Sequence, residues 1–269
     1  MRRLALTVVA LAAAAVAGCS SSSSPSTPSG STSSPAAAAG SSSAGQTGTI
    51  TVFAAASLKE TFTELGKQFE AAHPGDTVKF NFGASSTLAT QINSGAPADV
   101  FASASPKNMN QVVTAGNASN PQDFAKNVME VAVPPSNPAK VTSVNDLAKS
   151  SVKTALCQPQ VPCGVVAAEV FKNAKITVKP VTLQPDVKSV LTQVELGNVD
   201  AGVVYVTDVQ AAGAKVKGVT IPADVNASTL YPIAALSHSQ EEAIAQAFVA
   251  YVLSPTGEQV LKAAGFQQP

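Results

Sequence analysis

Short apolar runs rich in β-branched residues alternate with amphipathic stretches from Thr49 to the end of the chain. The runs predict strands and the stretches predict helices. Strands are predicted at Thr49–Ala55, Thr77–Phe82, Asp99–Ser103, Val128–Val133, Lys153–Leu156, Val178–Leu183, Ala201–Val206 and Leu230–Leu236. Helices are predicted at Ser57–Ala72, Ser86–Ser94, Pro106–Ala115, Val144–Lys149, Gly164–Asn173, Val187–Leu196, Gln240–Leu253 and Pro255–Ala264. This alternation is typical of an α/β fold with mainly parallel strands.

Two neighbouring strand-to-helix junctions carry a serine after very small residues. Ser57 follows the triplet AAA, and Ser85 follows the pair GA. Ser57 and Glu60 have the spacing of a capping box, in which the serine oxygen accepts a free helix N–H. Because helix N-termini offer unpaired N–H groups and a partial positive charge, two such junctions could hold one small oxyanion. The simpler alternative is that both serines only cap their helices.

Two more junctions of this kind lie in the middle of the chain. The segment VPCG, with Pro162, precedes one predicted helix, and Asp186 is a natural N-cap for the helix that begins at Val187. In open α/β sheets, ligands bind beyond the carboxyl ends of the strands, where these junctions lie. The four junctions therefore predict a cleft lined by N–H and O–H donors.

The first 48 residues differ from the rest. Arg2 and Arg3 precede the apolar stretch Leu4–Val16, which fits a secretory signal and is too short to span a bilayer stably. The stretch ends at Cys19 in a sequence that resembles a bacterial lipobox, so residues 1–18 are predicted to be a lipoprotein signal peptide and Cys19 to be lipidated. The alternative is an ordinary cleaved signal with a chance cysteine.

The segment from Cys19 to Gly48 is predicted to be a disordered tether. After the cysteine it consists almost entirely of Ser, Thr, Pro, Ala and Gly, without charges, so it cannot bury enough surface to fold. Its mean reach of roughly 30 Å would hold a folded domain just off a membrane surface. Without Arg2 and Arg3 the chain has 15 basic and 17 acidic residues. No basic stripe remains, so we do not expect nucleic acid as a partner.

The other two cysteines, Cys157 and Cys163, stand six residues apart in LCQPQVPCG. In an exported protein such a pair favours a disulfide. A metal-binding pair is the competing interpretation, although no histidine lies nearby and two ligands do not complete a site.

Six segments in a fixed order resemble one known family: TVFAAASL, GASSTLATQI, GAPADVFASA, VPCG, PDVKSVL and AGVVYVTDV. They are similar to the periplasmic molybdate-binding proteins of ABC importers, and the resemblance runs from about Thr49 to the end. It implies a class II periplasmic-binding-protein fold with two α/β lobes, each a mostly parallel sheet flanked by helices, and a hinge crossed twice. One lobe would be 49–126 plus 231–269, and the other 127–230.

The resemblance also implies a set of ligand-binding residues. These would be the hydroxyl and N–H groups of Ser57 and Ser85, the backbone N–H groups of Cys163 and Val187, and the phenol of Tyr205. Two features depart from the family. Cys163 stands where relatives usually have a smaller residue such as alanine, and the stretch between VPCG and PDV is a few residues shorter. No catalytic residue, metal site or cofactor is implied.

The predicted function is that of a binding protein. Molybdate and tungstate are fully deprotonated dianions, which a donor-only site suits, whereas a protonated phosphate needs an acceptor. We expect a monomeric protein anchored to the outer face of the cell membrane by lipidated Cys19, delivering the anion to an ABC permease. One alternative is the same fold with sulfate or another oxyanion. An exported serine hydrolase is a weaker one, because the sequence has no GxSxG elbow and offers no plausible histidine base.

Overall fold

The computed structural model describes residues 47–269. The predicted signal peptide, the lipidation site Cys19 and nearly all of the tether lie outside these residues.

Nine strands and eight α-helices follow one another in the described residues. The strands are β1 Thr49–Ala55, β2 Thr77–Gly83, β3 Val100–Ala102, β4 Gln122–Val133, β5 Thr154–Cys157, β6 Thr182–Gln184, β7 Ala201–Tyr205, β8 Lys217–Thr220 and β9 Ser228–Ala235. The helices are α1 Lys59–Ala72, α2 Ser85–Asn93, α3 Pro106–Thr114, α4 Pro162–Asn173, α5 Val187–Glu195, α6 Val206–Ala212, α7 Glu242–Val252 and α8 Pro255–Ala263. Short 3-10 turns lie at Ala56–Leu58, Val144–Ala148 and Gly213–Lys215.

The strands form one mixed sheet in the order β2-β1-β3-β9-β4-β7-β5-β6, with β8 paired to β4. β1 runs parallel to β2 and β3, and β5 runs parallel to β6 and β7. β4 and β9 run antiparallel to their neighbours. The expectation of mainly parallel strands is therefore wrong for the centre of the sheet, because two long strands there return against the direction of the others.

β4 connects the two ends of the sheet. Its first part, Gln122–Val128, pairs with β9, and its second part, Met129–Val133, pairs with β7 and β8. The apolar core divides at the same point. One buried cluster draws mainly on residues 129–227, and two others draw on residues 50–125 and 231–266. β1 and β2 therefore lie on one side of this division, and β5 and β6 lie on the other.

The observed elements depart from the predicted ones where pairing or exposure outweighs local pattern. β4 begins six residues before the predicted start, because QDFAKN alternates little but pairs with β9, with one register shift between Asp123 and Ala125. β6 is only three residues long, at the sheet edge, and Val181 and Leu183 nearby are 60% and 47% exposed. The predicted helix Val144–Lys149 is a 3-10 turn, and helix α6 and strand β8 were not predicted.

Candidate functional site

Four of the five residues predicted to bind the ligand line a single cavity. Ser57, Ser85, Cys163 and Val187 surround it, together with the small residues at the strand ends, namely Ala55, Ala56, Gly83, Ala84 and Ala104. The cavity has a volume of about 20 Å³, slightly more than a single water needs. In this conformation the space is far too small for a sugar or a peptide.

Ser57 does not cap its helix, so the predicted capping box is wrong. It lies within the 3-10 turn Ala56–Leu58, and the N-cap of α1 is Leu58. The hydroxyl of Ser57 instead shares a buried hydrogen bond of 2.9 Å with the phenol of Tyr231 on β9. Glu60 pairs with Lys188 rather than with the start of its own helix. The tertiary partners outcompete the local cap because both serine and tyrosine hydroxyls are buried here and need a bond.

Ser85 is the first residue of α2, and its side chain does not cap that helix either. Its Oγ accepts a hydrogen bond of 2.9 Å from the backbone N–H of Ala104. Because an N–H can only donate, the hydroxyl proton of Ser85 is left free to be donated elsewhere. The residue is 1% exposed and lines the cavity, so that proton suits an acceptor inside it.

Helices α4 and α5 begin at the opposite wall. Pro162 occupies the first turn of α4, and Asp186 caps α5 by accepting the N–H of Ser189 at 2.9 Å, both as predicted. Within residues 47–269, the backbone N–H groups of Cys163 and Val187 donate to no protein group. The first N–H groups of a helix have no acceptor within it. Both are therefore available to a ligand.

The loop that leads into α4 is closed by a bond between the Sγ atoms of Cys157 and Cys163, 2.04 Å long. Gly164 follows directly, and a Cβ there would lie 2.1 Å from the carbonyl oxygen of Gln158. Only glycine fits this close approach of two backbone segments.

Tyr205, the fifth predicted residue, is not among the lining residues. It ends β7, is 1% exposed, and its ring lies 6.2 Å from that of Tyr231 between centroids. Its hydroxyl has no hydrogen-bond partner among the described residues. Burial, and then the nearby phenol of Tyr231 and carboxylate of Asp208, raise the pKa of Tyr205 well above its ordinary value. The phenol is therefore protonated and buried, its hydroxyl lies near that of Tyr231, and it makes no close hydrogen bond to a protein acceptor.

The charged groups near the cavity already have hydrogen-bond or ion-pair partners within the protein. Of the lining residues in the described part of the chain, only Asp186 is charged, and its Oδ1 accepts the N–H of Ser189. Lys188, next to Val187, lies 2.7 Å from Glu60 Oε2 and 3.0 Å from Asp208 Oδ1. The side-chain donors that line the cavity are thus neutral.

Asp208 is fully buried, and its Oδ2 accepts the N–H of Tyr205 at 3.1 Å, so it caps the turn between β7 and α6. Burial raises the pKa of Asp208 to about 6, against the opposing effect of Lys188. The pKa of Lys188 is raised as well, because the attraction of Asp208 and Glu60 together outweighs partial burial, the largest single effect, which lowers it. The three side chains form a network that joins α1, α5 and α6.

Sequence reasoning missed Tyr231, Ala104 and Lys188. Tyr231 and Ala104 bond to the predicted residues Ser57 and Ser85 from 174 and 19 positions away, and Lys188 pairs with Glu60 and Asp208 beside the cavity. No local sequence motif predicts such contacts. A larger hollow of about 800 Å³ lies elsewhere on the surface, and its lining, which includes Glu130 and Glu169, contains none of the predicted site residues.

The fold and the donor-lined cavity suit a protein that binds a small solute. Residues 50–267 match the family of bacterial extracellular solute-binding proteins, and the chain belongs to that family. Proteins of this kind hold their solute as a ligand and not as a cofactor. The predicted non-enzymatic class and extracytoplasmic location are confirmed by this membership.

Individual relatives support the predicted resemblance. The molybdate-binding protein ModA of Mycobacterium tuberculosis is 41% identical over 222 residues, which cover 82% of this chain and 85% of that protein. The structure of the periplasmic molybdate-binding protein of Azotobacter vinelandii superposes with a TM-score of 0.74 at 24% identity, over 82% of this chain and 99% of that one. The sulfate-binding protein SubI of M. tuberculosis shares the fold, with a TM-score of 0.71 at 18% identity, over 83% of this chain and 87% of that one. The resemblance and the fold class are therefore confirmed.

Within residues 47–269 no helix combines the length and apolarity needed to span a membrane.

Proposed function

We propose that this protein captures molybdate, and tungstate with it, through neutral N–H and O–H donors and delivers the anion to the permease of an ABC importer. The observation that carries the proposal is the cavity of about 20 Å³ where Ser57, Ser85, Cys163 and Val187 meet. Relatives 41% identical to this chain are named as molybdate-binding proteins, which supports the choice of anion.

The donor set suits a tetrahedral dianion that carries no proton. The oxygen of Ser85 already accepts from Ala104, and the N–H groups of Cys163 and Val187 can only donate. A hydrogen bond to a charged group contributes about 1.5–3 kcal/mol, and several converge here. The starts of α2, α4 and α5 add their partial positive charge. Tight binding of a dianion therefore does not require a lysine or arginine in contact with it.

Tyr205 completes the proposed set. Its buried hydroxyl lacks a protein acceptor, and an anion oxygen would supply one. We further propose that residues 49–126 with 231–269 form one lobe and 127–230 the other, and that the anion binds where they close on each other. The separation of the apolar clusters at residue 129 supports this division. Anchoring through lipidated Cys19 and a monomeric state belong to the same proposal.

Isothermal titration calorimetry with molybdate, tungstate, sulfate and phosphate tests the function. Molybdate and tungstate should give strong heats at an equimolar end point, and sulfate and phosphate should give weak or no heats. Sulfate binding as tight as molybdate binding would instead favour a more general oxyanion carrier. Absence of heat with all four anions would overturn the proposal.

A further inference from the structure

The hydrogen bond between Ser57 and Tyr231 connects the cavity to the middle of the sheet. Ser57 Oγ and Tyr231 Oη lie 2.9 Å apart, and the two residues are 4% and 0% exposed. Tyr231 sits on β9 beside β4. Its ring packs edge-to-face against Phe124, Tyr205 and Phe266, with centroids 5.3 to 6.2 Å away. The phenol is thus fixed in place by three aromatic neighbours.

Two hydroxyl groups that share one hydrogen bond can do so in two ways. If Ser57 donates to Tyr231, the serine offers only lone pairs to the cavity. If Tyr231 donates to Ser57, the serine keeps its own proton for a ligand. The two arrangements give the cavity opposite chemistry. In the first, Ser57 can only accept a hydrogen bond from a ligand, and in the second it can donate one.

Ser85, across the cavity, already has the second arrangement, in which the serine accepts a bond from the protein and keeps its own proton for a ligand. Its oxygen accepts from the N–H of Ala104, which cannot act as an acceptor. An anion without protons needs both serines to donate, so Tyr231 has to play for Ser57 the role that Ala104 plays for Ser85. Burial raises the pKa of the Tyr231 phenol above its ordinary value, so the phenol has a proton to give at any physiological pH.

Resting on the proposed function, we propose that Tyr231 is a positioning residue that selects unprotonated oxyanions: its phenol donates to Ser57 Oγ and thereby turns the serine proton toward the ligand. A monohydrogen phosphate would meet a donor where its own O–H needs an acceptor. Removal of the phenol leaves Ser57 free to rotate and accept. Tyr231 would therefore control selectivity without touching the anion.

Tyr231→Phe is the test, because phenylalanine keeps the packed ring and removes only the hydroxyl. Tyr251→Phe is the matched control, since Tyr251 lies on α7, bonds to Gln68 at 3.4 Å and takes no part in the cavity. Calorimetry should show molybdate binding weakened roughly 2- to 10-fold in Tyr231→Phe, the scale of one hydrogen bond. The ratio of molybdate to phosphate affinity should fall further, and both values should be unchanged in the control.

A double-mutant cycle separates positioning from general damage. In a Ser57→Ala background the phenol has no hydroxyl to orient, so adding Tyr231→Phe should leave molybdate affinity unchanged. An equal loss in that background, or an unaltered molybdate-to-phosphate ratio in Tyr231→Phe, would overturn the inference. If the wild-type protein binds none of the oxyanions, the proposed function is overturned as well. If the wild type binds molybdate and Tyr231→Phe binds it with the same affinity and selectivity, only this inference is overturned.

Discussion

Replacement of Lys188 by methionine probes the charged network beside the cavity. The ammonium lies 2.7 Å from Glu60 and 3.0 Å from Asp208, and the exposed fractions of the three side chains are 19%, 51% and 0%. Methionine retains an unbranched apolar stem of similar length and removes the charge. The variant therefore removes the cationic partner of a fully buried carboxylate while largely preserving the packing.

Two estimates of the cost compete. Breaking a buried ion pair by removing one partner typically costs about 3–5 kcal/mol. However, the folded-state pKa of Asp208 is already raised from 3.8 to about 6. At pH 7 the carboxyl group can therefore become neutral at a cost of only about 1 kcal/mol, and a buried acid takes that route. The smaller estimate applies, and the exposed contact with Glu60 adds at most about 1 kcal/mol.

The sign of the pH dependence follows from the same value. The folded-state pKa of Asp208 lies above the unfolded one, so the fold loses stability as the pH rises from about 3.8 to about 6, where the unfolded carboxyl ionises before the folded one. Lys188 stabilises only the ionised form and limits that loss. The part of its contribution that acts through Asp208 should thus be near zero at pH 5, about 1 kcal/mol at pH 7 and about 3 kcal/mol at pH 8.

Urea unfolding at pH 5, 7 and 8 measures this contribution. Lys188→Met should lose little stability at pH 5 and progressively more at pH 7 and 8. Lys149→Met is the control, because Lys149 pairs with Asp146 at 2.6 Å on the surface and holds the pKa of that carboxyl well below its ordinary value. Asp146 does not titrate between pH 5 and 8, so the control should show a small and constant loss.

The variant Asp208→Asn supplies the second check. In an Asp208→Asn background, Lys188→Met should have no effect that changes with pH, since the group that titrates near 6 is gone. A loss of stability on Lys188→Met that is the same at pH 5 and pH 8 would refute the reasoning, because it would mean that the lysine acts through packing or through Glu60 alone.

Three further outcomes are expected. Ser85→Ala should weaken molybdate binding by about 1.5–3 kcal/mol in calorimetry, the value of one bond to a charged group, while Ser86→Ala, outside the cavity lining, should not. Tyr205→Phe should weaken binding by a similar amount, and unchanged affinity would remove the phenol from the proposed site. The intact mass under non-reducing conditions should be lower by two hydrogens than the mass after reduction. Because the Cys157–Cys163 bond closes a loop with a sequence separation of only 6, it should stabilise the fold by about 2 kcal/mol.

The spacing of apolar residues was sufficient to predict most of the strands and helices, because most of them bury one apolar face at the period that the sequence shows. β1, α1 and α5 lie within two residues of their predicted limits. The departures arise where an element depends on its neighbours. The polar first half of β4 forms a strand only because β9 lies beside it. Val178–Leu183 has the composition of a strand, yet at the sheet edge only Thr182–Gln184 finds a partner.

Some features of the candidate site could likewise be predicted from local sequence, and others depend on contacts with distant residues. Backbone donors at Cys163 and Val187 follow from the sequence, since Pro162 and Asp186 fix where α4 and α5 begin and a helix start always leaves free N–H groups. The direction in which a serine hydroxyl donates cannot be obtained that way. It depends on whether the serine oxygen already accepts a bond, and for Ser57 the answer comes from a tyrosine on a strand that closes the sheet 174 residues later. Sequence pattern thus locates the donors, and tertiary contacts decide their chemistry.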